Sequence, residues 1–401
     1  MKKLVETIKN IWVIEDLRNR ILMTLGILAI YRLGSFVVIP GVDPAQLSAL
    51  QDQTSDGLLG LLNMFTGGAF SQASIFALGI MPYISASIVI QLLGMAIPYF
   101  QKLQKEGESG RRKINNITRY LTILITGGQA PGYIANLKAT LPDSAFLLAP
   151  GAFWASSIII LVTGTMFVMW LGEKITDRGI GNGISLIIMI GIIALLPQSL
   201  MQEFVAALGS TGGGLVIFMV EMLALLIVIM ISILLVQGTR RIPVQYAKRV
   251  IGNKQYGGVR QFIPLKVNAA GVMPIIFAQA IMFVPITLVG FSDSESLQGI
   301  AAVLTDFGGF WYNLLFFIMI VLFTYFYTAI TVNPNQMADD MKKNGGFIPG
   351  IKPGRATADY LDTIMSRITL PGSLFLGVVA ILPAFAMAGG VNIQFAQFYG
   401  G

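Results

Sequence analysis

The chain has 401 residues, of which 55% are apolar and only 12% charged; its mean hydropathy is +0.73 and its formal net charge +7. A soluble domain carries about 25% charged residues, so these values exclude an ordinary soluble fold. Cysteine and histidine are both absent, which excludes disulfides, thiolate or imidazole metal sites, a Cys nucleophile and a His general base; neither a cofactor nor an enzymatic activity is expected.

Residues 1–20, MKKLVETIKNIWVIEDLRNR, place Leu4, Ile8, Ile11 and Trp12 on one helical face, with Lys2, Lys3 and Lys9 largely away from it. That pattern suits a short helix lying in the membrane interface. It shows no small-residue cleavage site after a short apolar core, so no cleavable signal peptide is expected. Nine nearly charge-free runs follow, at roughly 21–39, 74–97, 120–137, 154–172, 184–201, 214–236, 269–290, 311–332 and 368–388. A run of about 18 apolar residues is long enough to cross a bilayer as a helix. The alternating segments of about ten residues that mark a transmembrane barrel are missing. An all-α polytopic membrane protein is expected.

Between the first two runs lies GLLNMFTGGAFSQASIFALGIMPYISASIVIQ, residues 60–91. Its second half reads as a spanning helix. Its first half is equally apolar but breaks at Gly67-Gly68 after barely two turns. At about 1.5 Å per residue, residues 58–66 cover only about 13 Å, less than half of a ~30 Å hydrocarbon core.

Threading the nine runs alternately puts every Lys and Arg on one face except Lys138 and, inside the first span, Arg32. That face is cytoplasmic by the positive-inside rule, and the N-terminus lies there too. Asp43, Asp52, Asp56, Asp143, Glu203, Asp293, Glu295 and Asp306 collect on the other face. Nine spans leave the C-terminus outside, at FAQFYGG, so a further helix is expected beyond the sequence given.

Two inner loops are long. Gln237 to Asn268 holds seven basic residues and no acidic one, with Tyr246, Tyr256 and Phe262 interleaved; Asn333 to Thr369 holds five basic and four acidic residues. Charge that served topology alone would sit near the helix ends. An acid-free basic arm can meet anionic lipid, an acidic protein or nucleic-acid phosphate. Within the second loop FIPGIKPG, residues 347–354, reads as a rigid turn that presents Lys352.

The spans carry almost no ionisable groups. Arg32 and Glu221 lie toward the outer ends of theirs, where they can snorkel. GESG (107–110) imitates an intramembrane serine protease motif, but it lies in a hydrophilic loop and no His exists to activate Ser109. GIGNGIS (179–185) and TGGG (211–214) lack the spacing and the Lys-Ser/Thr ending of a phosphate loop. What the spans do hold is uncharged polar residues: Ser85, Ser87, Gln91, Thr163, Thr165, Asn182, Ser185 and Asn268. Such groups join helices by contacts worth about 0.6 kcal/mol, firm enough to close an interface and weak enough to open it. Plain helix packing accounts equally well for any one of them.

MFTGGAFSQASIFALGIMPYISASIVIQLL, KEGESGRRK, VTGTMFVMWLGEKITDRGIGNGIS, YAKR, PLKVN and FIPGIKPG occur in this order, and together they closely resemble the SecY family, the channel subunits of the bacterial Sec protein-translocation complex. The resemblance implies two pseudo-symmetric halves of five helices. Residues 21–201 would hold spans 1–5 and residues 202–401 spans 6–9, the tenth lying beyond the chain. It assigns residues 57–72, with Leu62, Phe65, Gly67 and Gly68, to the plug that closes the resting channel, the glycines serving as hinge. Non-spanning backbone at membrane depth fits such a place, because protein or a water-filled cavity surrounds it.

Position by position, the resemblance puts Ile80, Ile84, Ile188 and Ile276 in the aliphatic pore ring, which can seal by excluding water. Ser85, Gln91, Asn182 and Asn268 fall at the lateral gate. The arms 238–268 and 333–369 carry Arg240, Arg241, Lys248, Arg249, Lys254, Lys352 and Arg355, which would receive the ribosome or the motor ATPase SecA. Position 352 is usually Arg in bacterial members, and Lys keeps the charge but loses the bidentate fork. SecE, SecG, signal sequences, nascent chains and anionic lipids are the other implied partners, and the bacterial cytoplasmic membrane is the implied location. The rival reading is a secondary transporter with a broken helix at its substrate site; the lack of mid-membrane carboxylates argues against it.

Overall fold

The computed structural model describes Glu6 and residues 12–48, 50, 60, 63–209, 214–246, 249–251, 254–256, 260–289, 308–391 and 393–399. Leu62, Lys248, most of the expected interfacial helix and residues 57–59 and 61 of the expected plug lie outside them. The chain divides into two compact units, Met1–Gln202 and Glu203–Gly401.

In the first unit α1 spans Glu15–Ser35, with Glu15 and Asp16 in its first turn and Arg32 in its last, the charge order that the helix dipole favours. α2 runs from Met81 to Ala96, seven residues later than the apolar run at 74–97 led one to expect. Pro82 explains the late start, because proline fits only the first turn of a helix. Before it the backbone is left-handed at Ala73 (φ +45°) and Gly79 (φ +52°), and residues 66–80 form turns. Ile97 is extended, as the residue before a proline tends to be, and α3 (Pro98–Lys105) follows.

α4 (Glu108–Thr140) and α5 (Pro150–Arg178) are long antiparallel neighbours. Thr118, Thr122 and Thr126 form a buried stripe on α4, and each hydroxyl donates to the carbonyl four residues earlier. The stripe is therefore polar without an unmet donor. Arg119 on α4 meets Glu173 on α5 through two hydrogen bonds, at 2.6 and 3.3 Å. α6 spans Gly183–Gly209. A core of Ile39, Phe70, Tyr133, Ile134, Leu137, Phe153 and Leu161 fixes residues 38–47 and 70–78 against α4 and α5.

In the second unit α7 (Gly214–Gln237) exposes most of its apolar side chains and buries only Gly214, Glu221 and Leu225. α5, α6, α7, residues 310–343 and α11 (Arg355–Ala388) each contain an 18-residue window apolar enough to cross a membrane. α8 (Met273–Val289), α9 (Phe310–Thr331) and α11 pack around Ala278, Met282, Tyr312, Phe316, Ile320 and Leu376.

The two long loops expected as arms add strands to this helical fold. β1 (Thr239–Tyr246) pairs antiparallel with β4 (Arg260–Lys266), and its far end pairs with β5 (Gly346–Phe347). β2 (Arg249–Ile251) and β3 (Lys254–Tyr256) form a hairpin between β1 and β4. Alternation in TRRIPVQY buries Ile242 and Val244 and leaves Arg241 out. The buried faces meet α10 (Pro334–Lys343) and α11 in a core of Ile242, Val244, Leu265, Met341, Ile348, Leu361 and Met365. At about 1.5–3 kcal/mol for each large apolar side chain buried, this core binds the two arms into one platform. The all-α expectation thus holds for the membrane part and gains a small sheet outside it.

Candidate functional site

Residues 63–80 are almost wholly buried without being helical over most of their length, and buried backbone must find partners. The segment supplies several itself. The Asn63 carbonyl accepts from Gly68 N (2.9 Å), its Oδ1 accepts from Ser71 N (3.0 Å), and Thr66 Oγ1 accepts from Phe70 N (3.3 Å). Gly67 and Gly68 are left-handed, at φ +66° and +88°, where glycine alone is unstrained. On the far side Ile39 N donates to Ala73 O and Ile75 N to Val37 O, tying the turn to the chain after α1.

Three carbonyls of the turn are met from outside it. Tyr31 OH donates to Thr66 O (3.2 Å), Arg32 Nη1 to Gly67 O (2.8 Å) and Tyr133 OH to Phe70 O (2.9 Å). The first two come from α1 and the third from α4. Arg32 therefore does not reach for the membrane surface, as its place near the end of an apolar run suggested. α6 closes the opposite side backbone to backbone: a Cβ on Gly191 would lie 2.8 Å from Phe65 O, and one on Gly67 2.9 Å from Gly191 Cα.

Ile80 and Ile84 sit at the start of α2 one turn apart, with Ile84 N donating to Ile80 O; both are buried. Ile188 lies on α6, three residues before Gly191, and is half-buried. Ile276 belongs to the second unit, half-buried on α8. Phe65 is half-buried within the turn.

The four polar residues expected at a gate have different surroundings. Ser85 is half-buried on α2, and Gln91 Nε2 donates to Ser87 Oγ of the same helix (3.3 Å). Asn182 Oδ1 accepts from Ile184 N and Ser185 N. It caps α6, a role legible in Asn preceding an apolar helix. Asn268 Oδ1 is buried without a hydrogen-bond partner.

On the platform Arg240, Arg241, Lys352 and Arg355 are exposed. Arg249 is on β2 and Lys254 on β3. Lys352 stands in a turn whose left-handed Gly350 (φ +87°) and Gly354 (φ +106°) bracket it, and its carbonyl accepts the Thr357 hydroxyl at 2.9 Å. The residues that the sequence reading missed are Tyr31, Tyr133, Gly191 and the pair Arg119–Glu173. No local pattern marks a tyrosine whose partner is a carbonyl 35 or 63 positions away.

The family model SecY matches residues 74–401. The protein translocase subunit SecY of Streptomyces coelicolor is 45% identical over 397 residues, covering 95% of this chain and 89% of its own length. Among solved structures, one titled for the SecY plug domain that stabilises the closed translocation channel aligns with a TM-score of 0.60 at 18% identity, covering 95% of this chain and 90% of the other. A yeast Ssh1 complex bound to the 80S ribosome aligns with a TM-score of 0.62 at 15% identity, covering 96% and 88%.

Proposed function

The chain belongs to the SecY family, and on that premise we propose that it works as a passive protein-conducting channel of the bacterial cytoplasmic membrane, with its N-terminus inside. Unfolded secretory polypeptides cross through it, and hydrophobic segments leave it sideways into lipid. The observation that carries this reading is the similarity to a protein translocase subunit along 95% of the chain. It favours a channel over a secondary transporter.

Residues 57–72 close the resting path, with Leu62, Phe65, Gly67 and Gly68 in the closing segment. The buried, left-handed turn at Gly67-Gly68 supports this. Ile80, Ile84, Ile188 and Ile276 form the constriction. Ser85, Gln91 and Asn268 serve the lateral gate, and the unpartnered Oδ1 of Asn268 supports a contact that is made and broken. Asn182 belongs to that region through the helix it caps.

The platform receives the ribosome or SecA through Arg240, Arg241, Lys248, Arg249, Lys254, Lys352 and Arg355. The exposure of Arg240, Arg241, Lys352 and Arg355 on the packed platform supports docking. SecE, SecG and anionic lipids complete the assembly. A signal sequence enters at the gate and displaces the closing segment. Ten central leucines favour membrane by about 3–6 kcal/mol, close to the roughly 5.5 kcal/mol that shifts an equilibrium from 1:99 to 99:1.

Expressed with its partner subunits in a bacterium depleted of its own SecY, the chain should restore export of a secretory precursor. Normal membrane insertion with the precursor left in the cytoplasm would overturn the reading.

A further inference from the structure

We propose that Arg32, with Tyr31 and Tyr133, is a latch on the backbone of residues 66–70 that sets how often the channel opens at rest; the proposal rests on the reading of residues 57–72 as the closing segment. Three donors converge on three carbonyls within five residues, Thr66, Gly67 and Phe70. The turn is buried, so these carbonyls have no water to fall back on. Tyr31 and Tyr133 are themselves buried, and their hydroxyls need the carbonyls as much as the carbonyls need them.

Arg32 is the distinctive member. Arg18 and Arg20 at the inner end of α1 pair with Glu15 and Asp16, but among the described residues no carboxylate forms an ion pair with Arg32. Its charge is met by the Gly67 carbonyl at 2.8 Å and by the face of Phe36, 5.3 Å from the ring centroid. A charge-assisted bond to a neutral carbonyl is strong in a dry place and readily replaced by water. Departure of the turn strands the guanidinium unless water enters as it leaves. The latch therefore couples release of the closing segment to wetting of the space that it vacates.

Gly191 makes the geometry exacting from the other side. The turn approaches α6 so closely that a Cβ on either Gly67 or Gly191 would meet backbone within 3.0 Å. A side chain at position 191 would push the turn away from α6 with every latch donor still present. The latch is thus seated against a fixed wall, and both sides can be perturbed separately.

The test is single-channel recording of the complete channel complex in planar bilayers without substrate. Deletion of residues 57–72 serves as the control for the closing segment. With that deletion raising resting conductance, Arg32→Met should raise open probability about tenfold and Arg32→Lys should recover part of the closure. Gly191→Val should leak comparably. Where Arg32→Met does not accumulate, the double variant Tyr31→Phe/Tyr133→Phe keeps both rings, and a severalfold rise in open probability is expected. A leaking deletion alongside Arg32→Met, or that double variant, closing like the wild type overturns the latch and leaves the closing segment standing. A deletion that does not leak overturns the closing role itself, and the latch with it.

Discussion

Residues 63–80 of the first unit and the arm platform of the second both hold backbone that is not helical, and they satisfy it by different means. In the platform β1, β4 and β5 pair with one another. Their hydrogen bonds are internal to the sheet, and the side chains are left free for a core on one face and for Arg241, exposed, on the other. In the turn the backbone has no sheet to join, so side chains of α1 and α4 are diverted to serve its carbonyls. The platform is stable by the rules of a small soluble domain. The turn is stable only as long as its neighbours keep their positions.

Four experiments would break or sharpen this contrast. The largest effect is expected from Leu361→Ala, which empties a 1%-exposed position in the platform core. A loss of about 2–5 kcal/mol should appear as faster proteolysis of the arms, with the turn unaffected. Gly67→Val should cost about 1–2 kcal/mol for a side chain held in a left-handed conformation, besides its contact with Gly191. Faster amide exchange over residues 66–71, without change in the platform, is the expected signature.

Reversal of two exposed charges, Arg240→Glu with Arg241→Glu, should leave the platform folded. It should weaken binding of ribosomes or SecA about tenfold and flatten the salt dependence of what remains. Unchanged binding at low salt would take these residues out of the docking surface. The smallest effect belongs to Arg119 and Glu173, whose side chains are 43% and 25% exposed. A double-mutant cycle with Met at each position should give a coupling of about 1 kcal/mol in detergent unfolding.

Much of this was legible in the sequence, because hydropathy and charge act over one helix at a time. Among the described residues a helix lies at each of the nine apolar runs, and five helical stretches contain an 18-residue window apolar enough to cross a membrane. Pro82, which sets the start of α2, is a legible local signal that the apolar run outweighed, and Asn182 ahead of α6 carries a local cap signal as well. The pairing of the two arms was not legible, because it rests on the two-residue strand Gly346–Phe347, which meets Gln245 and Tyr246 far back in the chain and carries no mark of that partner.

The sequence alone determined that the chain crosses a membrane repeatedly, which face is basic, and that Gly67-Gly68 interrupts a segment too short to span. Each of these follows from the chemistry of residues adjacent in the chain. Only the tertiary structure decided that Arg32 turns to the Gly67 carbonyl, that Tyr31 and Tyr133 join it, and that Gly191 leaves room for the turn. A carbonyl looks the same in every residue, so which side chain will serve it is fixed by the packing of helices and by nothing written beside it.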